Sequence, residues 1–198
     1  MSSTLVSNIA ELVTNSNPDL GIINDAALVI EDGKVVWVGG AKSAPATDSK
    51  IDGRGGTVTP GFVDSHTHAV FAGDRSADYL ARMSGGSYSS GGINTTVQAT
   101  RSASVEELRT QTRRIVEQAR SSGTTTLEIK SGYGLDIATE KKILTVAREF
   151  TTETTFLGAH VVPKDAKSRD EYVNLVKGEM LDACVDLAKW IDVFCDSS

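Results

Sequence analysis

Cysteine, proline, aromatic side chains and basic clusters are all scarce in this chain of 198 residues, and each shortage excludes something. The two cysteines, Cys184 and Cys195, are too few for a disulfide framework. They fall in a predicted helix and a predicted strand, so both read as buried free thiols. Aromatics make up 6% of the residues and no basic run interleaves with them, so the pattern that neutralises phosphates and stacks bases is missing. With 26 acidic against 20 basic residues the net charge is -6, which repels a polyanion at long range. A nucleic-acid partner is therefore not expected. No apolar stretch approaches the length of a bilayer span, and Met1 to Asn8 has neither the cationic lead nor the apolar core of a secretory signal. The expectation is a cytoplasmic protein with no membrane partner. What remains, 39% hydrophobic and 23% charged, is the composition of an ordinary globular chain.

Histidine is just as scarce, and two of the three histidines stand together in Thr59-Pro60-Gly61-Phe62-Val63-Asp64-Ser65-His66-Thr67-His68. In an extended strand alternate side chains face the same way about 6.6 to 6.8 Å apart, which puts Asp64, His66 and His68 on one face. Two imidazoles so placed can chelate an ion. A bare His-x-His is more often an ordinary strand end, but here an apolar lead-in runs through Pro-Gly into the imidazoles and then into a loop with an arginine. That is how a strand delivers ligands to the rim of a barrel.

Residues 1 to 58 read as the short strands of a small β unit. Ala26 to Ile30 and Val35 to Val38 flank Glu31-Asp32-Gly33-Lys34, and Asp-Gly between two β-branched runs is a hairpin signal. Gly53-Arg54-Gly55-Gly56 marks the end of this unit. From residue 59 onward strands and helices alternate. The histidine strand comes first, opening at Val58, followed by a Gly- and Ser-rich segment from Gly73 to Gly92 with too little apolar periodicity for a core element. Ser104-Val105-Glu106-Glu107 is a capping box, and Leu108, Thr112, Ile115, Val116 and Ala119 continue at helical spacing to Gly123. Thr124 to Ile129 is a strand and Ile137 to Phe150 a helix. Thr154 to Val162 is a strand closed by Pro163. Ser168-Arg169-Asp170-Glu171 is a second capping box, whose helix carries Tyr172, Val173, Val176, Met180, Cys184 and Leu187. Trp190 to Cys195 is a last strand.

Four strands joined by helices, in units of about 35 residues, require parallel pairing and right-handed crossovers. A (β/α)8 barrel of typical size needs about 250 residues, so residues 59 to 198 read as the first four β/α units of one, with the chain truncated. In such an arrangement all strand C-terminal ends lie on one face. His66 and His68, Glu128 to Gly134, Gly158-Ala159-His160 and Phe194-Cys195-Asp196 then converge.

Neutral imidazole suits zinc or iron, and a catalytic centre needs at least three protein ligands and one open position. His66 and His68 supply two. His160 suits a third ligand, a substrate contact or a proton carrier. Arg75, on the loop after His68, has the planar fork for a carboxylate or phosphate, with a solvated loop charge as the alternative. Tyr133 sits between Gly132 and Gly134, placed either for a ligand or for packing. Glu128 and Lys130 share a strand face and read as a structural pair. The Ser84 to Gly92 segment lacks a Walker lysine and a dinucleotide fingerprint, so no nucleotide cofactor is indicated.

The string Pro60 to His68 resembles the first-strand motif of the amidohydrolase superfamily, metal-dependent hydrolases on a (β/α)8 barrel with a small β-sandwich built from both chain ends. His68-Ala69-Val70-Phe71-Ala72-Gly73-Asp74-Arg75, Glu128-Ile129-Lys130-Ser131-Gly132-Tyr133-Gly134-Leu135 and Phe156-Leu157-Gly158-Ala159-His160 closely resemble the imidazolonepropionase family within it, over essentially the whole chain. The resemblance implies hydrolysis of 4-imidazolone-5-propanoate to N-formimidoyl-L-glutamate in histidine degradation, at a single zinc or iron ion, in a homodimer. It implies His66 and His68 as metal ligands and Arg75, Tyr133 and His160 as substrate contacts, Arg75 meeting the propanoate. The remaining ligands and the acid–base residues of the family lie on later strands, so no catalytic residue is assignable here. Asn94 stands where relatives often have histidine, and the loop before it looks shortened. Two other readings are another cyclic amidase or deaminase of the superfamily, sharing the metal pair without the propanoate clamp, and an inactive half-barrel that only binds metal.

Overall fold

The computed structural model describes residues 2–16, 19–74, 76, 80, 83 and 91–195. It divides into two compact units, Met1–Gly61 and Phe62–Ser198.

The first unit is a four-stranded sheet of β1 (Ser3–Val13), β2 (Ile22–Glu31), β3 (Lys34–Gly40) and β4 (Ser49–Val58), in the order β3-β2-β1-β4. Neighbours are antiparallel except β1 and β4, which run parallel. The expected hairpin is there, with Glu31 opposite Lys34 and Asp32 and Gly33 at φ 48° and 76°. Two successive positive φ values make a two-residue turn whose twist matches that of the strands. The period of two then sends Ala26 and Leu28 into one apolar cluster with Ile9 and Leu12, and Ala27 and Val29 into another with Leu5. Leu5 and Ile9 are four residues apart on β1, yet they belong to different clusters. The register shift between Val6 and Ile9 explains this: Asn8, at φ 55°, inserts an extra residue and flips the alternation. Its amide is held by Asp52 Oδ1 at 2.7 Å.

In the second unit β5 (Phe62–Asp64) pairs with β6 (Thr124–Leu127), and β7 (Ile129–Lys130) pairs with β8 (Thr154–Ala159), which pairs with β9 (Trp190–Val193). All of these pairings are parallel, and only Glu128 separates β6 from β7, so four strand positions follow one another in sequence order. The helices between them are α1 (Gly91–Ser102), α2 (Val105–Ser121), α3 (Ile137–Ala147), α4 (Arg169–Leu175) and α5 (Leu181–Cys184). Ile143, Val146 and Ala147 of α3 pack with Leu108 and Val116 of α2 on Ile129. Leu144 joins Phe156, Tyr172, Met180 and Cys184 in a second cluster.

Both expected capping serines act. Ser104 and Glu107 exchange bonds as a full box, at 3.2 Å to the Glu107 N–H and 2.7 Å from the Ser104 N–H. Ser168 accepts from the Glu171 N–H at 3.1 Å, which is one half of the expected box.

Three expectations need correction, and one helix is additional to them. The histidine strand is confined to Phe62–Asp64, because Pro60 has no N–H for a ladder and the residues from 65 onward leave the regular pleat. The helix expected to run unbroken from Tyr172 to Leu187 is interrupted at Gly178, whose φ of -116° and ψ of -112° open a π-type turn. The helix α1 was not foreseen, although Ile93, Thr96, Val97 and Thr100 carry its spacing. Cys184 is a buried free thiol as expected, while Cys195 is exposed, since β9 ends at Val193. Among the described residues no helix is long and apolar enough to cross a membrane.

Candidate active site at the strand ends

Parallel pairing brings the C-terminal ends of β5, β7 and β8 together, and with them all three histidines. His66 and His68 follow β5 with ring centroids 5.9 Å apart and planes at 72°. His160, just past β8, stacks on His68 at 4.9 Å and 11°. Tyr133 lies 4.8 Å from His68 and 5.4 Å from His160. An open cleft of about 530 Å³ is lined by His68, Phe71, Asp74, Gln111, Arg114 and Tyr133. Arg75 and Asp196 lie outside the described residues.

The His-Thr-His segment is no longer a strand, yet its backbone is held. The Glu128 N–H donates to Asp64 O and the Lys130 N–H to Thr67 O, both at 2.8 Å, so β6 and β7 still grip it. Thr67, between the two histidines, donates its N–H to Glu128 Oε2 at 3.2 Å and its hydroxyl to Glu128 O at 2.6 Å. Glu128 in turn accepts from Lys130 Nζ at 2.9 Å and from the Thr155 hydroxyl, and Lys130 reaches Asp192 at 3.1 Å. The two residues read from the sequence as a structural pair are thus a buried network beneath the histidines. Burial works against the Lys130 ammonium, but Glu128 and Asp192 more than offset it and hold the pKa above the usual lysine value.

Burial pushes the His68 imidazole down to about 4, and the neighbouring His160 and His66 add to the effect. At neutral pH the ring is therefore neutral, which is the form that ligates metal. Its Nδ1 is buried without a hydrogen-bond partner among the described residues. Such an orphaned acceptor or donor is uncommon in a folded chain and fits a position completed by something bound. Among the described residues no group of three or more His, Cys, Asp or Glu is arranged to hold an ion. The donor chemistry of His66 and His68 fits zinc or iron, and a catalytic centre for such an ion needs at least three protein ligands.

His160 Nδ1 lies 2.8 Å from Gly132 O. A carbonyl only accepts, so Nδ1 carries a proton. Gly132 has φ +108°, and a Cβ there would sit 3.0 Å from His160 Nδ1 and from Leu157 O. The Gly-Tyr-Gly string therefore needs its first glycine for both turn and close approach. Sequence reasoning missed Glu140, which is wholly buried in the first turn of α3 and accepts from the backbone of this same loop. Its signal was present: Glu140 shares a helix face with Ile143, Leu144 and Ala147, where an acid is out of place.

No family model matches the chain. It is 53% identical over 201 residues to an imidazolonepropionase of Mycolicibacterium smegmatis, covering 99% of this chain and 51% of that one. It is 54% identical to imidazolonepropionases of Salinispora tropica and Streptomyces coelicolor over 99% and 98% of its length, and 51% of theirs. The chain spans about half the length of the curated relatives it matches. Among solved structures it resembles a triazine hydrolase from Arthobacter aurescens, with TM-score 0.58 and 18% identity over 94% of this chain and 42% of that one. It also resembles guanine deaminase of E. coli, at TM-score 0.53 and 18% identity over 89% of this chain and 43% of that one. At such identity the likeness is one of fold.

Proposed function

We propose that this chain, similar over nearly all its length to imidazolonepropionases, is the N-terminal half of an enzyme that opens the ring of 4-imidazolone-5-propanoate to give N-formimidoyl-L-glutamate. The observation that carries the reading is identity above 50% across 99% of the chain. On this reading residues 59–198 are the first four β/α units of a (β/α)8 barrel, and residues 1–58 belong to a small β-sandwich. Four parallel strands in sequence order support it, since that is the order in which a barrel is built.

His66 and His68 would hold one zinc or iron ion, together with ligands from the other half. When bound, the ion supplies a Lewis acid and an activated water for attack on the ring carbonyl. The chain's own residues bind and orient the substrate. Arg75, seven residues after His68 in the sequence, pairs its guanidinium with the propanoate, because a planar fork matches a carboxylate. Tyr133 and His160 flank the ring, one presenting a phenol and the other an imidazole whose protonated nitrogen is fixed by Gly132. The partner is a small molecule. The acidic balance, with a net charge of -6, speaks against nucleic acid, and a cytoplasmic homodimer is part of the same proposal.

The test assays the complete enzyme containing this chain for loss of imidazolone absorbance, with His66→Ala and Arg75→Ala beside it. His66→Ala is expected to lose bound metal and nearly all turnover. Arg75→Ala is expected to weaken an analogue that has the propanoate by about tenfold or more and to spare one that lacks it. Metal and rate retained by His66→Ala would overturn the metal assignment, and equal losses for the two analogues would overturn the carboxylate role.

A further inference from the structure

One buried carboxylate fastens the loop that carries Tyr133. Glu140 has no solvent exposure, and its oxygens accept three backbone N–H groups: Gly132 on Oε2 at 2.9 Å, Gly134 on Oε1 at 2.8 Å and Leu135 on Oε1 at 2.7 Å. Burial raises its pKa, and what opposes that rise is the Ser131 hydroxyl and these three N–H groups rather than a cation. A side chain needed only to fill this space would be apolar, because an acid in the interior is costly without such partners. The loop explains the choice. Gly132 and Leu135 both have positive φ, at 108° and 57°, and the chain that turns this way leaves three N–H groups facing inward. One carboxylate satisfies all three.

The same loop reaches the site. Gly132 donates its N–H to Glu140 and accepts from His160 Nδ1 through its carbonyl, so a single peptide residue links the carboxylate to the imidazole. Slack is small: a Cβ on Gly134 would lie 2.7 Å from Glu140 N and 2.9 Å from Oε1, and one on Gly132 would meet His160. We propose that Glu140 is a positioning residue, which fixes the Gly132–Leu135 loop and thereby sets both the tautomer of His160 and the placing of the Tyr133 ring beside His68. The idea rests on the functional reading above only where it says what His160 and Tyr133 are positioned for. The role assigned to Glu140 is exerted through the loop whose N–H groups it holds.

The experiment follows the His160 ring by nitrogen NMR and backbone amides by hydrogen exchange, in the full chain and its Glu140→Gln and Gly132→Ala variants. In the unaltered chain the Gly132, Gly134 and Leu135 amides are expected to exchange as slowly as those in the middle of α3, and His160 to be protonated at Nδ1. Glu140→Gln keeps the volume but turns an N–H2 toward one of the donors. It is expected to speed exchange at the three amides by about tenfold or more and to give mixed tautomers at His160, with the overall fold retained by circular dichroism. Gly132→Ala is expected to disturb the tautomer while Gly134 and Leu135 stay protected. In the complete enzyme Glu140→Gln is expected to raise KM by about tenfold with kcat little changed. A folded Glu140→Gln with unaltered exchange and tautomer would overturn the proposal. So would fast exchange of the three amides in the unaltered chain, a result that needs no variant to fold. Absence of imidazolone turnover by the unaltered enzyme would instead defeat the functional reading and leave the tautomer and exchange response to decide the role of Glu140.

Discussion

The β unit of residues 1–61 and the α/β unit of residues 62–198 differ in what they hide. The buried side chains of the first, Leu5, Ile9, Leu12 and residues 26 to 29, are all apolar among the described residues. Every buried polar or charged side chain described lies in the second, between Thr96 and Thr155. Glu128, Lys130, Ser131 and Glu140 in that group all cluster around the ends of β6, β7 and β8. A buried polar group is tolerated only when its partners are built in around it. A sheet whose sole task is to cohere has no use for that expense. Where backbone must be held in irregular conformations at strand ends, polar side chains do what a ladder cannot.

This contrast can be broken in three places. The largest effect is expected from Glu128→Ala, which strips a partner from Lys130, Thr67 and Thr155 together. Removing one member of a buried ion pair costs about 3–5 kcal/mol, and urea denaturation should show a loss of that order. A loss below about 1 kcal/mol would mean the network is solvated in solution and that the two interiors are alike. Next is Ile9→Thr, which places a hydroxyl among Leu12, Ala26 and Leu28. With no partner provided, a destabilisation of about 1–3 kcal/mol is expected, read from hydrogen exchange along β1. Tolerance at that position would show that the apolar interior of the β unit is not selective. The smallest effect is expected from Gly33→Ala. Gly33 has φ +76° and a Cβ there meets nothing, so the cost is the turn's backbone strain alone, about 1 kcal/mol. Gly132 also has positive φ, but its Cβ would press on His160, so the matching change there alters the site as well as the turn.

Much of this was legible in the sequence because it depends on neighbours along the chain. Asp32-Gly33 specified its turn, Ser104 and Glu107 their box, and the alternation of β-branched strands with amphipathic helices the parallel pairing. His66, His68, Tyr133 and His160 were picked out as strand-end residues, and the structure brings these four side chains together. What escaped were features whose cause lies elsewhere in the fold. The bulge at Asn8 reverses the facing of Leu5 and Ile9 because β2 and β4 pair on either side of it. The histidines hold their places outside any strand because Glu128 and Lys130 grip Thr67 from the adjacent strand. Cys195 is exposed because β9 ends two residues before it.

By itself, then, the sequence determined the β unit's turn, the order of strands and helices, and which side chains can ligate or recognise. It did so through local propensity, period and donor chemistry, which act within a few residues. Tertiary structure alone decided that His68 would be neutral with Nδ1 unpartnered among the described residues, that His160 Nδ1 would donate to Gly132 O, and that Glu140 would be buried beneath the Tyr133 loop. Those properties follow from desolvation and from hydrogen bonds across long chain separations, and neither exists until the strands have paired.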